Sequence, residues 1–163
     1  MSNLYPSGVS ASASFMPNAA AYPAGNIVDV AKELVFKDKD DRPVTPGAII
    51  RVLSAVIKID QAALISGEGA YRLHFYSVTP PSVRAKNTAW ARASGDLAAY
   101  RGALDLGTPV AAGGTCYVKT QFSDQQDFNL ASGLNSFFGE LVTVGGVTFT
   151  ATARQIFLYG FLI

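Results

Sequence analysis

The stretch AIIRVLSAVIKIDQAALISGEGAYRLHFYSV (48–78) decides the fold. Its first part, AIIRVLSAVIKID (48–60), is long and rich in β-branched side chains on both faces, as a strand covered on two sides would be. SGEG (66–69) is a turn. YRLHFYSV (71–78) then alternates, with Tyr71, Leu73 and Phe75 on one face and Arg72, His74 and Tyr76 on the other. A period of two, bounded by a glycine turn, predicts antiparallel strands.

Working outward, the same grammar recurs. NIVDV (26–30) and KELVFK (32–37) are short β-compatible runs, and KDKDDRPVTPG (37–47) is a charged turn. TPPSVRAKNTAWARASGD (79–96) reads as a long loop, a length that usually signals a task. LAAYRGALDL (97–106) fits helix or strand, and Gly102 with its all-β neighbourhood favours strand. TCYVKTQF (115–122) places Cys116, Val118 and Phe122 inward, followed by polar loop over 123–136 around a short strand near Phe128. FFGELVTV (137–144) and VTFTATARQIFLYGFLI (147–163) flank Gly145-Gly146, a two-residue hairpin signal. In the latter, Val147, Phe149, Ala151 and Ala153 alternate with Thr148, Thr150, Thr152 and Arg154. Eight or so strands joined by Gly, Pro and Asp predict an all-β fold: an antiparallel β-sandwich, jelly-roll-like.

The chain of 163 residues suits one domain. Residues 25–163 read as that sandwich and residues 1–24 as an extended N-terminal arm. The first charged side chain is Asp29. Ser, Ala, Pro and Gly dominate before it, a composition that buries no core by itself. Leu4, Tyr5, Val9, Phe15, Met16 and Tyr22 are dotted through it. A disordered tail is one reading; an arm held on a neighbouring chain is the reading adopted.

Charged residues are 15% of the chain, against about 25% in an average soluble domain. Low surface charge predicts that other subunits cover part of the surface. Thirteen basic and twelve acidic residues leave a net charge of +1, with no excess to neutralise phosphates, so no nucleic-acid partner is expected. The most apolar run, Ile156–Ile163, is far short of the roughly 20 residues of a spanning helix, and no membrane partner is expected. The N-terminus lacks the basic start of a signal peptide, so synthesis in the cytoplasm is expected.

Few residues suggest chemistry. One cysteine, Cys116, and one histidine, His74, exclude an intrachain disulfide and most zinc sites, and leave a Cys–His pair as an arithmetical option. Asp38, Asp40 and Asp41 lack the glycine and closing glutamate of a calcium loop and are interleaved with Lys37, Lys39 and Arg42. No metal, cofactor or catalytic residue is expected. Trp90, Tyr71, Tyr76, Tyr100, Tyr117 and Tyr159 could stack on sugars, although aromatics in such a fold mostly serve core or interface. Arg84, Lys86, Trp90 and Arg92 make loop 79–96 a candidate partner-contact loop.

AYPAGNIVD (21–29) resembles the Y-x-A-G-D-x-(V/I) opening of small virion proteins of tailed bacteriophages, with Asn26 where the pattern has Asp. IIRVLSAVIKID followed by YRLHFYSVTP resembles their second signature, and FTATARQIFLYGFLI their C-terminal strands. The resemblance covers about residues 21–163. It implies a non-enzymatic head decoration (cement) protein on the outer capsid surface. Such proteins are often homotrimers, and an N-terminal arm clamps neighbouring copies of the major capsid protein. Two alternatives stay open: a tail, neck or baseplate structural protein, and a glycan- or receptor-binding β-sandwich module.

Overall fold

The computed structural model describes residues 8–163. In chain order the strands are β1 (Gly8–Phe15), β2 (Ala21–Tyr22), β3 (Lys32–Val35), β4 (Lys37–Asp38), β5 (Ile49–Ile59) and β6 (Tyr71–Tyr76). They continue with β7 (Tyr100–Gly107), β8 (Val110–Ala111), β9 (Cys116–Asn129), β10 (Ser136–Thr143), β11 (Val147–Thr148) and β12 (Arg154–Leu162). A single 3-10 turn over Ser94–Asp96 precedes β7.

The large sheet has the order β4-β1-β12-β5-β9-β8 and the small sheet the order β3-β10-β6-β7, with β2 and β11 paired apart. Every pairing is antiparallel. The eight long strands pair first with last: β1 with β12, β3 with β10, β5 with β9, and β6 with β7. The chain is thus one long double-stranded ribbon whose tip is the loop after β6. Successive ribbon segments fall alternately in the two sheets, and β12–β5 and β10–β6 stitch the segments together. That winding is a jelly roll.

Between the sheets lies the core. Val9 and Phe15, Ile50, Val52 and Ile57, and Ile156 and Leu158 come from the large sheet; Leu34, Leu73, Phe75, Phe137 and Leu141 come from the small one. Phe75, Phe128 and Phe137 form a ring cluster with centroids 5.3 to 6.0 Å apart.

Several expectations are corrected. Within the described residues, Gly8–Phe15, read as part of the arm, is already a strand of the large sheet. GVSASASF alternates, putting Val9, Ala11 and Phe15 into the core and the serines outside, and all eight of its residues pair with β12. The unusual composition is overridden by its place between neighbouring strands. Residues 26–30 make only isolated bridges, because Ile27 gives its amide to Thr88 and Val28 gives its own to Leu141. Among the described residues β5 is covered on one face only: Ile50, Val52, Ala55, Ile57 and Ile59 are buried, while Ile49 and Leu53 are exposed. β9 runs through the expected loop to Asn129, with a wide irregularity between the partners of Val52 and Ser54. Gly145-Gly146 makes no hairpin: Val147–Thr148 pairs with Ala21–Tyr22 instead. The alternation over 147–154 is broken, and Arg154 is buried rather than outward. Its charge is met by Glu68 at 2.6 Å, its guanidinium lies 4.3 Å over the Phe149 ring, and Tyr71 also donates to Glu68.

The β12–β5 register shifts between Tyr159 and Gly160, where Leu53 of β5 is left without an opposite residue, so that Gly160 meets Val52 and Phe161 meets Arg51. A Cβ on Gly160 would sit 2.0 Å from the Arg51 carbonyl oxygen. Backbone oxygen cannot give way as a side chain can. Gly160→Ala is expected to lower the unfolding free energy by about 2–3 kcal/mol, read from the urea midpoint. Gly114→Ala, where an added Cβ meets nothing within 4 Å, should stay within about 0.5 kcal/mol.

Candidate functional site

The loop at the ribbon tip, residues 77–99, lies on the outer face of the small sheet. That face carries Arg72, His74 and Tyr76 on β6 and Glu140 and Val142 on β10, with Glu140 directly across from His74. Glu140 is 1% exposed. Its carboxylate accepts from Arg84 Nη1 at 3.1 Å, from Tyr76 Oη at 2.9 Å and from Trp90 Nε1 at 3.1 Å. Arg84 also donates to Asp96 at 2.6 Å and to the Ala91 carbonyl. One guanidinium therefore ties both ends of the loop to the sheet. Burial pushes the Asp96 carboxyl upward, but the Ser82 amide and Arg84 outweigh it and hold the group below the usual carboxylate range. Burial and the Glu140 charge push the Tyr76 phenol up.

His74 sits beside this network, 5% exposed. Its ring stacks on Trp90 at 3.7 Å with 15° between planes, and Nδ1 lies 3.0 Å from the Tyr100 hydroxyl. Burial, followed by the nearby Arg72 charge, pushes its pKa down to about 4, with Arg84 and Arg92 acting in the same direction and Asp105 opposing. The imidazole is neutral at neutral pH.

A second fastening joins the loop to the first strands. Buried Asp29 accepts from the amides of Met16 and Val30 and pairs with Lys32 at 3.1 Å and Lys86 at 3.3 Å. Lys86 donates to the Met16 carbonyl at 2.6 Å. Burial raises the Asp29 carboxyl, and the Met16 amide and Lys32 together bring it below its ordinary value.

The outer face of the large sheet is different in kind. Among the described residues, Leu53 (46% exposed) and Tyr159 (43% exposed) stand out of it, with exposed Ile49 at one end of β5 and exposed Tyr117 opposite Lys58 toward the other. Ser10 and Ser12 face Tyr159 and Phe157 across the β1–β12 pair. These four, with Glu33, Val35 and Lys37, line an open groove of about 400 Å³. Arg51, paired with Asp127 at 2.6 Å, stands between Ile49 and Leu53 on β5.

The expected site residues thus separate. Val9, Phe15 and Tyr22 belong to this domain's own core; Tyr22 packs edge-on to Phe149 at 4.9 Å. Met16 is exposed but lends both backbone groups to the Asp29–Lys86 fastening. Leu4 and Tyr5 lie outside the described residues. Arg84 and Trp90 meet in the Glu140 network, Lys86 binds Asp29, and exposed Arg92 lies 5.2 Å over the Tyr100 ring. Arg84, Lys86 and Trp90 are therefore engaged within the chain, while Arg92 and the apolar Val83 and Leu97 of the same loop are exposed. Cys116 lies in the core on the large sheet and His74 on the far side of the small one, so they form no pair. The 38–42 turn is self-neutralised: Asp38 accepts from the Asp40 and Arg42 amides, and Lys37 pairs with Asp41 and Lys39 with Asp40.

Glu140, Asp96 and Glu68 escaped the sequence reading. A signal was present for two of them. The chain has three glutamates, and one stands inside the apolar run FFGELVTV, where a carboxylate needs a cation brought to it. Another lies in the SGEG turn, within reach of a basic strand residue.

No family model matches the chain, and no curated protein sequence matches it. Among solved structures, a chain from the cryo-EM atomic structure of broad bean stain virus aligns over 100% of this chain and 87% of its own, with 12% identity and a TM-score of 0.31. A chain of the cowpea mosaic virus empty virus-like particle aligns over 100% and 82%, with 12% identity and a TM-score of 0.32. The jelly-roll assignment rests on the strand order of this chain, not on these superpositions.

Two outcomes test the geometry. Arg84→Met strands two buried carboxylates and should cost about 3–5 kcal/mol by chemical denaturation. His74 yields a pH dependence. In the folded chain it takes a proton near pH 4, against 6.5 when unfolded, so between those values the unfolded state binds more protons. Stability is full above pH 6.5 and falls as pH drops toward 4, by about 1–2 kcal/mol after allowance for solvent screening. Comparing urea midpoints at two pH values, about 7 and about 4.5, should show this fall in the wild type and a clearly smaller one in His74→Phe.

Proposed function

We propose that this chain is a non-enzymatic virion structural protein, a capsid decoration or cement protein that stabilises a phage head by bridging neighbouring copies of the major capsid protein. The observation that carries this reading is the uncovered outer face of the large sheet. Leu53, Tyr159, Ile49 and Tyr117 are held on a rigid surface, beside the Ser10–Phe157 groove. Apolar area of that kind is what an assembly buries.

The charged side chains support the same reading. Arg84, Glu140, Asp96, Arg154, Glu68 and Asp29 are all paired inside the domain, where they fix a loop and two strand ends. Arg84 and Glu140 also line a small opening of about 110 Å³, where they stay engaged with Asp96, Tyr76 and Trp90. A low charge content fits a protein whose free surface shrinks on assembly.

In the proposed arrangement three copies gather about a local threefold axis on the outside of the virion, and the segment before β1 reaches a neighbour. Leu4 and Tyr5 precede Gly8, the first residue of β1, by a few positions in the sequence and are the proposed anchor. Many weak contacts repeated over a lattice give avidity without one tight site.

The copy number per purified virion, measured by quantitative mass spectrometry against the major capsid protein, should be near stoichiometric. A count of a few to a few dozen would place the protein in the tail or neck and overturn capsid cementing. The double variant Leu53→Glu/Tyr159→Glu should stay folded by circular dichroism and fail to decorate capsids. Normal decoration by that variant would remove the large sheet from the interface.

A further inference from the structure

A cleft of about 280 Å³ opens on the outer face of the small sheet, beside the Trp90–His74 stack. Gly25, Val142, Thr143 and Val144 line one side, and Arg72, His74 and Trp90 the other. Its size is near the lower end for small-molecule sites. It lies on the opposite sheet from the face assigned to assembly, so it stays open in that arrangement.

The cleft holds hydrogen-bonding capacity that the fold does not use. His74 Nδ1 is engaged by the Tyr100 hydroxyl, and Nε2 meets no protein group. No buried side-chain nitrogen or oxygen among the described residues lacks a partner. A ring that is 5% exposed therefore keeps its Nε2 open to solvent, through the cleft it lines. Either neutral tautomer leaves one donor or one acceptor there. Arg72 uses Nε on Asp105 Oδ1 at 2.6 Å, which leaves its terminal amino groups and the second Asp105 oxygen available. Both side chains are well exposed. The lining provides the Arg72 donors, His74 Nε2 and a neighbouring apolar surface from the Trp90 ring and exposed Val144, and the Asp105 acceptor stands just outside it, bonded to Arg72.

Charge decides the ligand class. Three guanidiniums stand around the ring, those of Arg72, Arg84 and Arg92, against the three carboxylates of Asp105, Asp96 and Glu140, and burial keeps the imidazole uncharged at neutral pH. The sum is zero, so nothing selects an anion or a cation. A ligand rich in hydroxyls with one apolar face fits this set. An arginine–carboxylate pair presents donor and acceptor side by side, which suits two adjacent hydroxyls. An aromatic ring suits the C–H face of a sugar.

We propose that this cleft binds one unit of a neutral carbohydrate, with Arg72, Asp105 and His74 taking its hydroxyls and Trp90 and Val144 its apolar face. The proposal goes beyond the cement role and does not depend on it. A protein repeated over a particle surface could hold glycans through weak sites, since many copies multiply an affinity in about the millimolar range.

Trp90 is the single tryptophan, so intrinsic fluorescence reports from the cleft itself. The full-length protein is titrated with glucose, galactose, mannose, rhamnose, N-acetylglucosamine and their short oligomers, with galacturonic and sialic acids as charged comparators. A saturable change with at least one neutral sugar is expected. Arg72→Met, at an exposed position that leaves the fold intact by circular dichroism, should weaken it at least tenfold. Asp105→Asn, a second exposed change, should do likewise. No saturable response to any neutral sugar overturns the proposal. So does binding restricted to the acidic sugars, or binding that both variants leave unchanged.

Discussion

The pairing of β1 with β12 is the contact on which the rest of the molecule depends. Eight consecutive residues from the beginning of the described chain meet eight from its end, Gly8 with Phe161 through Phe15 with Arg154. Nothing local holds either strand. β1 is short of strong β-formers, and it joins the sheet because Val9, Ala11 and Phe15 fill a core already shaped by other strands. This closure brings Ser10 and Ser12 beside Phe157 and Tyr159, and so makes the groove on the outer face. It also places Arg154 at the inner end of the strand pair, where only a buried carboxylate can accompany it. Contacts of such high sequence separation form late, because loop-closure entropy must be met first.

At the other end of the ribbon, the tip loop is handled by ions rather than by hydrophobic burial. Arg84 reaches Glu140 on the sheet and Asp96 at the loop's far end, while Lys86 reaches Asp29. Buried pairs of this kind add little net stability over an apolar core, but breaking one leaves a charge without a partner. Their effect is to select one loop conformation. With the loop fixed, Trp90 is held flat on His74, and one rim of the cleft on the small sheet follows. The two outer faces consequently differ: one carries exposed apolar side chains among serines and an Arg51–Asp127 pair, the other is covered by a loop that leaves a polar opening.

Much of the fold was legible from residues alone. The alternation in YRLHFYSV and the β-branched run in AIIRVLSAVIKID both mark real strands, β6 and β5, and LAAYRGALDL contains β7. The faces were harder to read. β5 looked doubly covered because Ile49, Leu53 and Val56 are apolar, yet Ile49 and Leu53 on its outer side are left exposed by the described residues. β6 looked singly covered because Arg72 and His74 are polar, yet a loop lies on His74 and Tyr76. Polarity reports which side tolerates water, not which side a distant loop or another molecule will occupy. The Gly145-Gly146 signal failed for a related reason: the ladder partners of β10 were already β3 and β6.

By itself the sequence determined the class of the protein: an all-β sandwich, low in charge, without the residue sets of common enzymes or metal cages. Those properties are set by composition and by a period of two, which every strand carries locally. Strand order, the inclusion of residues 8–24 in the domain, and the partners of Glu68, Glu140 and Arg154 were decided only in three dimensions. Each depends on which segments, separated by dozens of residues, come to lie side by side. A hydrophobic alternation says that a strand has an inner face, but it does not say against which neighbour that strand will lie.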